Sequence, residues 1–372
     1  MYVRVEAADG LTGIGEATLE WRSASVAASI GELAPLLIGE DGNRIEHLWQ
    51  VMVRSRRHRG GAIELSAISG VEQALWDIKG KRAGMPVYEL LGGACRDHVE
   101  VYANAPHEET AAGMVAAARG LVAMGFSAIK LGSSGIGLTH VDDPHALDIA
   151  VDALGSVRDA VGPNVRIAVD CCARMSPATA SRFAHAIEPL AIWFLEEPVR
   201  AENPAALLEV ARRTSIPIAA GEQLLTRWGF RELLALGAVA LVQPDVAHCG
   251  GIAEARRIAA MAEVEYCGFA PHNPLSPVNT LASAHVAMAT PNFVALELKV
   301  DTRVPWLEGA DVPWRDAIID PPLRVQNGWL EVPRAPGLGA NLELGVCSAH
   351  PPREIALQTV DYRRPDGSFS DC

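Results

Sequence analysis

Acidic and histidine side chains recur along this chain at a nearly constant interval. Successive members of the series are 23 to 27 residues apart. The series consists of Asp170, Glu196, Glu222, Asp245, His272 and Glu297. One β-strand with its return helix and two loops takes about that many residues in a (β/α)8 barrel. A residue type repeated at this interval therefore returns to the same rim of one barrel, one strand further round.

Eight short apolar or β-branched segments alternate with Ala-rich helical stretches, which predicts a parallel sheet that closes on itself. The predicted strands are residues 99–103, 128–131, 166–169, 192–195, 217–220, 240–243, 267–270 and 294–298. Clear helical stretches between them are residues 111–124, 146–160, 205–213 and 252–262. The acid–base series then falls at or near the C-terminal ends of the strands, where barrel enzymes carry their chemistry.

Residues 1–95 and the end of the chain follow different patterns. Residues 3–7 and 14–17 flank a turn at Asp9-Gly10, which predicts an antiparallel hairpin. Apolar side chains at helical spacing predict an amphipathic helix over residues 66–79. Beyond the eighth strand the chain is rich in Pro and Gly, with no convincing eighth helix. We therefore predict an N-terminal domain at 1–95, a barrel at 96–316, and a segment at 317–372 that returns to the N-terminal domain.

Composition restricts the partners and the location. The net charge of −13 argues against nucleic-acid binding, because phosphate contacts need clustered Lys and Arg. It also repels an anionic substrate at long range, so such a substrate needs a local cation. No apolar run approaches the ~20 residues of a membrane span, and the start of the chain does not resemble a signal peptide. The seven cysteines lack metal-finger spacing, so we expect reduced thiols in a cytoplasmic protein with no membrane partner.

The first three carboxylates of the series predict a metal site. Asp170, Glu196 and Glu222 end three adjacent predicted strands. Mg²⁺ prefers oxygen ligands and leaves positions for water and substrate, so a substrate carboxylate could complete its coordination. A metal-bound carboxylate stabilises the charge that develops when the adjacent carbon loses its proton. The alternative is that these side chains form ordinary salt bridges at the barrel rim.

The remaining members of the series predict a base beside this metal. His272 follows the seventh strand, and Asp245, one strand earlier, can accept a hydrogen bond from its ring and raise its basicity. Glu297 either orients the substrate or is a structural rim charge. Lys130, at the end of the second strand, either faces the substrate carboxylate or pairs with a metal-ligand Glu.

Several motifs together resemble the mandelate racemase subgroup of the enolase superfamily, and within it the galactonate dehydratase-like acid-sugar dehydratases. They are GLTGIGEA at 10–17, ALWDIKGK at 74–81, LLGG at 90–93, EEP at 196–198, AGE at 220–222, QPD at 243–245 and PGLG at 336–339. The resemblance implies a TIM-like (β/α)7β barrel in the α/β class, with an α+β capping domain formed by the N-terminal region and the C-terminal tail.

The resemblance also implies site roles and partners. It implies Mg²⁺ held by Asp170, Glu196 and Glu222, with the hydrogen-bonded His272–Asp245 dyad acting as the general base. Loops around Trp21 and around His58 would close over a small-molecule sugar acid, although both are exposed polar segments in the simpler interpretation. Members of the family are commonly homo-oligomers, so we expect a homo-oligomer here.

Two positions depart from the pattern that the resemblance implies. Racemases of the subgroup carry a second lysine where this chain has Gly132, so racemisation by two bases lacks one of them. The dehydratase branch has a histidine, taken as the acid for the leaving hydroxyl, where this chain has Cys172. Cys172 is either that acid or a small side chain that fills space, in which case His272 serves as both base and acid.

Three functions remain open at this point. The favoured one is a Mg²⁺-dependent lyase that removes the proton alpha to the carboxylate of a sugar acid and eliminates the β-hydroxyl, giving a 2-keto-3-deoxy acid. A one-base epimerase or racemase would use the same enediolate. A catalytically weak member with a binding or structural role is the third.

Overall fold

The computed structural model describes residues 1–106, 108, 110–132, 144–300 and 313–351 of the 372-residue chain. It consists of a small N-terminal α+β unit placed against a larger barrel of parallel strands and helices. No helix in these ranges combines the length and the apolar character needed to cross a bilayer.

The N-terminal unit is a hairpin covered by helices. Strands β1 (Tyr2–Glu6) and β2 (Thr12–Glu16) pair antiparallel, so the predicted hairpin is confirmed. The helices that follow are α1 (Ser23–Leu37), α2 (Ile45–Arg54), α3 (Ala62–Ala83) and α4 (Val87–Leu90). The helix predicted over 66–79 lies inside α3, which extends further at both ends. Its C-cap is Gly84, with a left-handed φ of 69° that suits glycine.

Strand β2 lies unusually close to α3 because glycines line the contact. A Cβ atom on Gly15 would meet the carbonyl oxygen of Gly70 at 2.0 Å, and one on Gly13 would meet the carbonyl oxygen of Ala74 at the same distance. The two backbones therefore touch directly. Gly13 and Gly15 of the GLTGIGEA motif allow this contact because they have no Cβ atom.

Among the residues that the structure describes, eight parallel strands alternate with seven helices to form the barrel. The strands are β3 (Val99–Asn104), β4 (Ala128–Gly132), β5 (Arg166–Asp170), β6 (Phe194–Glu196), β7 (Ile218–Ala220), β8 (Leu241–Val242), β9 (Gly268–Phe269) and β10 (Leu296–Lys299). The helices between them are α5 (Ala111–Ala123), α6 (Pro144–Val161), α7 (Pro177–Ile187), α8 (Pro204–Ala211), α9 (Thr226–Leu236), α10 (Ile252–Val264) and α11 (Pro277–Met288). All eight predicted strands are confirmed, with ends that differ by at most two residues from the predicted ones.

The strands follow one another around the barrel in chain order. Strands β3 to β9 pair in parallel with their sequence neighbours, and β10 returns to pair in parallel with β3. Between β9 and β10 the contact is a single parallel bridge from Phe269 to Phe293. There the N–H of Phe269 donates to the carbonyl of Asn292, and the N–H of Val294 donates to the carbonyl of Phe269, both at 2.8 Å.

The C-terminal residues contact both units. Short strands and one helix follow a 3₁₀ helix at Pro313–Ile318: β11 (Ile319–Asp320), β12 (Arg324–Gln326), β13 (Trp329–Glu331), β14 (Asn341–Leu342) and α12 (Leu344–Ala349). Strand β13 pairs antiparallel with the start of β3. The N–H of Leu338 donates to Asp77 Oδ1 on α3 at 2.8 Å, which ties this segment to the N-terminal unit.

Parts of the predicted C-terminal organisation lie outside the described residues. Residues 301–312, where an eighth helix was not expected, and residues 352–372 of the returning segment are among them. The division of the chain at residues 95 and 316 stays a prediction.

The N-terminal unit is joined to the barrel by buried polar contacts at the start of α10. Glu72 on α3 accepts hydrogen bonds from the N–H groups of Ile252 and Ala253 at 2.7 and 2.9 Å. Trp49 on α2 donates its Nε1–H to the carbonyl of Gly250 at 2.8 Å. Glu72 thus satisfies free N–H groups at a helix N-terminus, where a negative charge is favourable.

We predict that Gly15→Ala lowers the free energy of unfolding by about 1–3 kcal/mol, because an added methyl group meets backbone that must shift. Urea unfolding followed by circular dichroism measures this change. Gly31→Ala on α1 is the matched control, since no atom lies within 4 Å of its added Cβ. Inside an exposed helix that substitution should raise stability by about 0.5–1 kcal/mol. Equal stability of Gly15→Ala and the unmodified chain would contradict the close-contact argument.

Candidate active site

The floor of the candidate site is an apolar layer inside the barrel. It is built by one buried side chain from each strand or strand end: Tyr102, Ala128, Ala168, Phe194, Ala219, Leu241, Ala270 and Ala295. The rings of Tyr102 and Phe194 meet edge to face at 5.9 Å, and alanines fill the remaining space.

A polar layer lies directly above this floor. Side chains two residues apart on a strand point to the same side, so the next inward-facing position on most strands is polar. These positions hold Asn104, Lys130, Asp170, Glu196, Gln243, His272 and Glu297. The two-residue period of the strands thus carries four members of the acid–base series, Asp170, Glu196, His272 and Glu297, into the barrel at its C-terminal end. Glu222 and Asp245 lie just beyond the ends of β7 and β8.

Lys130 lies at the centre of one half of this layer. Its Nζ is 2.5 Å from Glu196 Oε1, 2.9 Å from Glu297 Oε1 and 3.8 Å from Asp170 Oδ2. Burial alone would lower the pKa of Lys130, but Glu196 and Glu297 outweigh it and hold the pKa well above its ordinary value. Lys130 is therefore a buried cation paired with carboxylates. A contact between Lys130 and a substrate stays a prediction.

The three proposed metal ligands lie on neighbouring strands. Asp170 is opposite Glu196 in the register of β5 and β6, and Glu222 follows β7 by two residues. Burial raises the pKa of Glu196 to about 8, and burial together with Asp170 raises the pKa of Glu222. Burial is the largest cause for both, so each of these two carboxyl groups holds a proton more readily than an exposed glutamate.

The donor set fits Mg²⁺ in its chemistry, since all three side chains offer hard oxygen atoms. In the ranges that the structure describes, no three Asp, Glu, His or Cys side chains stand close enough together to hold a metal ion. Oxygen atoms of Glu196 instead accept hydrogen bonds from Lys130 and from Gln243 Nε2, the latter at 2.7 Å. Convergence of the three carboxylates on one ion stays a prediction.

His272 lies between two carboxylates in the other half of the layer. Its Nδ1 is 2.8 Å from Asp245 Oδ2, and its Nε2 is 3.3 Å from Glu222 Oε2. The predicted hydrogen bond between His272 and Asp245 is therefore present. Burial would lower the pKa of His272, but Glu222, Glu297 and Asp245 outweigh it and hold the pKa well above its usual value. A divalent cation on Glu222 would oppose this effect.

Cys172 lies at the edge of the polar layer in a left-handed conformation, with φ of 51°. Its N–H donates to Asp170 Oδ1 at 2.8 Å. Burial, and then Asp170, raise the pKa of the Cys172 thiol well above its ordinary value. The thiol is accordingly neutral, and its role as an acid or as a filler stays a prediction.

The remaining predicted residues differ in how close they lie to this centre. Glu297 is fully buried and accepts hydrogen bonds from Asn104 Nδ2 and from the N–H of Asn273. Trp21 and His58 are exposed on loops of the N-terminal unit. Their contacts with a substrate stay predictions.

Several buried polar residues of the site were missed by the sequence argument. Glu197 accepts a hydrogen bond from the N–H of Gly221 at 2.7 Å, and burial raises its pKa to about 8. Gln243 contacts Glu196, and Asn279 Nδ2 donates to Asp245 Oδ1 at 3.1 Å. Gln243 shares the strand-end spacing and could have been found from it. Asn279 lies on helix α11, so no strand period points to it.

Both parts of the chain match known families. Residues 1–92 match the mandelate racemase / muconate lactonizing enzyme N-terminal domain, and residues 113–345 match the enolase C-terminal domain-like family. These matches cover the N-terminal unit and most of the barrel.

Full-length relatives give the same result. The chain is 37% identical to a D-galactonate dehydratase of Ralstonia pickettii and 39% identical to one of Variovorax paradoxus, over 100% of this chain and 96% of each relative. A crystal structure of a mandelate racemase/muconate lactonizing enzyme-like protein from Rubrobacter xylanophilus superposes with a TM-score of 0.86 at 39% identity, covering 95% of this chain and 93% of that one. An enolase superfamily member from Salmonella Typhimurium gives a TM-score of 0.85 at 31% identity over 93% of both chains. The chain therefore belongs to the mandelate racemase/muconate lactonizing enzyme family of the enolase superfamily.

Proposed function

We propose that this protein is a Mg²⁺-dependent acid-sugar dehydratase. Its substrate is a small sugar acid, and its product is the corresponding 2-keto-3-deoxy acid. The proposal is supported by the D-galactonate dehydratase relatives, which match the whole chain at 37 to 39% identity. The expected homo-oligomer and cytoplasmic location stay predictions.

One geometric observation carries the proposal. A buried histidine has a carboxylate partner on one ring nitrogen, and its other nitrogen faces a second carboxylate that is a proposed metal ligand. A general base needs both a partner that orients it and an open nitrogen near the reacting carbon. His272 has the orienting partner in Asp245, and its Nε2 lies 3.3 Å from Glu222 Oε2, on the rim where a substrate bound by the proposed ligands would be held.

His272 is the proposed base. Because Nδ1 is engaged by Asp245, Nε2 is the nitrogen that accepts the proton from the carbon beside the substrate carboxylate. Asp245 fixes the tautomer of the ring and stabilises the imidazolium that forms.

Mg²⁺ held by Asp170, Glu196 and Glu222 would bind the substrate carboxylate and stabilise the negative charge that develops on it. Lys130 keeps Glu196 in place through their 2.5 Å contact. The long-range repulsion between an anionic substrate and a chain of net charge −13 is then offset locally.

The elimination balances as loss of water. The electron pair of the broken C–H bond forms the C=C bond, and the C–O bond to the neighbouring hydroxyl breaks as that oxygen receives a proton. The resulting enol gains a proton at carbon 3 and loses the proton of its hydroxyl on carbon 2, which gives the keto acid. His272, returning its proton, and Cys172 are the two candidate donors to the leaving hydroxyl.

We predict that, with Mg²⁺, the protein forms a semicarbazide-reactive keto acid from at least one member of an acid-sugar library, and that EDTA abolishes this activity. Readdition of Mg²⁺ should restore it, because the metal supplies the charge that the carboxylate needs. Exchange of the alpha proton without keto product would favour an epimerase. If neither keto product nor proton exchange is detected at saturating Mg²⁺, enzymatic activity of this class is contradicted.

We predict that His272→Asn lowers the rate of alpha-proton exchange in deuterated water by roughly 10²–10⁴-fold, the usual contribution of a general base. Mg²⁺ binding, measured by calorimetry, should persist in this variant, whereas Glu222→Gln should weaken it. His285→Asn is the matched control, since His285 is also buried but contacts Tyr88 and Leu338 instead. Normal exchange by His272→Asn would refute the base assignment.

We predict that Cys172→His creates or raises activity on galactonate-type acids by about tenfold or more, because an imidazolium is a better proton donor than a thiol near neutral pH. Steady-state assays with galactonate measure the change. Cys172→Asn, similar in size but not an acid, is the control. Equal activities of the two variants would show that the acidity of this side chain does not matter.

A further inference from the structure

Asp245 lies between two imidazole rings. Its Oδ2 is 2.8 Å from His272 Nδ1 and 3.9 Å from His248 Nε2. His248 is held in place by a 2.8 Å contact between its Nδ1 and Ser66 Oγ on α3. A modest rotation of the carboxylate would therefore exchange one histidine partner for the other.

The other carboxylate oxygen is fixed by two donors. Asp245 Oδ1 accepts hydrogen bonds from the N–H of Ala247 at 2.7 Å and from Asn279 Nδ2 at 3.1 Å. Ala247 belongs to the same loop and moves with Asp245, whereas Asn279 lies on helix α11. Because a carboxylate is planar, fixing Oδ1 from a separate element also fixes the direction of Oδ2.

The amide of Asn279 has only one acceptable orientation. Asn279 is fully buried, and its Nδ2 also donates to Asn273 Oδ1 at 3.1 Å. A flipped amide would place its oxygen against the Asp245 carboxylate, which has no proton to donate. In the present orientation Asn279 Oδ1 has no partner among the described residues. An unsatisfied buried acceptor costs free energy, and the two hydrogen bonds donated by Asn279 Nδ2 offset that cost.

The backbone of Asn279 is fixed as well. Its N–H donates to Glu16 Oε2 on β2 at 3.1 Å, and the hydroxyl of the N-cap Ser276 donates to the same oxygen. Glu16 is 1% exposed, so these bonds are shielded from water. The N-terminal unit therefore anchors the start of α11, and α11 presents Asn279 to Asp245.

We propose that Asn279 is a positioning residue that holds Asp245 toward His272 and away from His248. The catalytic consequence rests on the proposed function. The choice of histidine partner does not, and it can be measured without turnover.

The catalytic arm compares the fully buried Asn279 with the part-buried Asn292. Asn279→Ala should lower kcat by about tenfold to a hundredfold with little change in KM, as expected when the residue that orients a site group is lost. Asn292→Ala is the matched control, since Asn292 Nδ2 also makes two hydrogen bonds, but to the carbonyls of Ala259 and Cys267 rather than to Asp245. Equal effects of the two substitutions, per folded protein, would overturn the proposal.

A second substitution separates positioning from general loss of structure. If Asp245 turns to His248 in Asn279→Ala, removal of that imidazole in the double variant Asn279→Ala/His248→Asn should recover part of kcat. A loss of kcat that merely reflects damaged packing would deepen in the double variant, and this result would contradict the proposal.

The arm without turnover uses proton NMR of ¹⁵N-histidine-labelled protein. The His272 Nδ1–H bonded to Asp245 should give a low-field resonance, assigned by its loss in His272→Asn. It should disappear or shift in Asn279→Ala and persist in Asn292→Ala. An unchanged resonance in Asn279→Ala, or none in the unmodified protein, would overturn the proposal. If the NMR pattern is as expected but the protein dehydrates no acid sugar, the proposed function is refuted. The positioning role of Asn279 is then still supported.

Discussion

The polar interior of the barrel depends on one buried ammonium group. Lys130 contacts Glu196 and Glu297 directly and lies 3.8 Å from Asp170. Without it, these carboxylates would face one another where little water can solvate them, and each uncompensated buried charge costs several kcal/mol. One ammonium group does not balance three carboxylates, and Glu222 adds another. Even with His272 3.3 Å from Glu222, the carboxylates outnumber the basic groups that face them. This excess of acidic groups is the physical basis for proposing Mg²⁺ there.

Two carboxylates of the N-terminal unit connect it to the chemistry of the barrel. Glu72 holds the start of α10, which follows the loop of Asp245. Glu16 holds the start of α11, which follows the loop of His272. Both use the free N–H groups that every helix N-terminus offers. The unit expected to cover the substrate is thus joined, through hydrogen bonds rather than apolar packing alone, to the two loops that carry the dyad.

The sequence was most informative where residues recur at the regular spacing from one barrel strand to the next. The recurrence of Asp170, Glu196 and Glu222 predicted the barrel strands, and its continuation predicted the contact between Asp245 and His272, which the structure contains at 2.8 Å. Strand ends were less predictable, because β8 and β9 are only two residues long and their limits depend on neighbouring strands. Asn279 was not predictable, because it reaches Asp245 from a helix 34 residues further along the chain.

The sequence by itself determined the barrel, its hairpin-bearing partner unit and the kind of side chain at each strand end, because strand and repeat periods are local properties of the chain. Only the tertiary structure decided that Lys130 lies among the carboxylates, that Glu16 and Glu72 hold two barrel helices, and that Asp245 faces His272 rather than His248. Those outcomes depend on differences of about 1 Å between groups that are far apart in the chain, such as the 2.8 and 3.9 Å distances from Asp245 to its two histidines. Such distances are set by packing between elements, which no local pattern encodes.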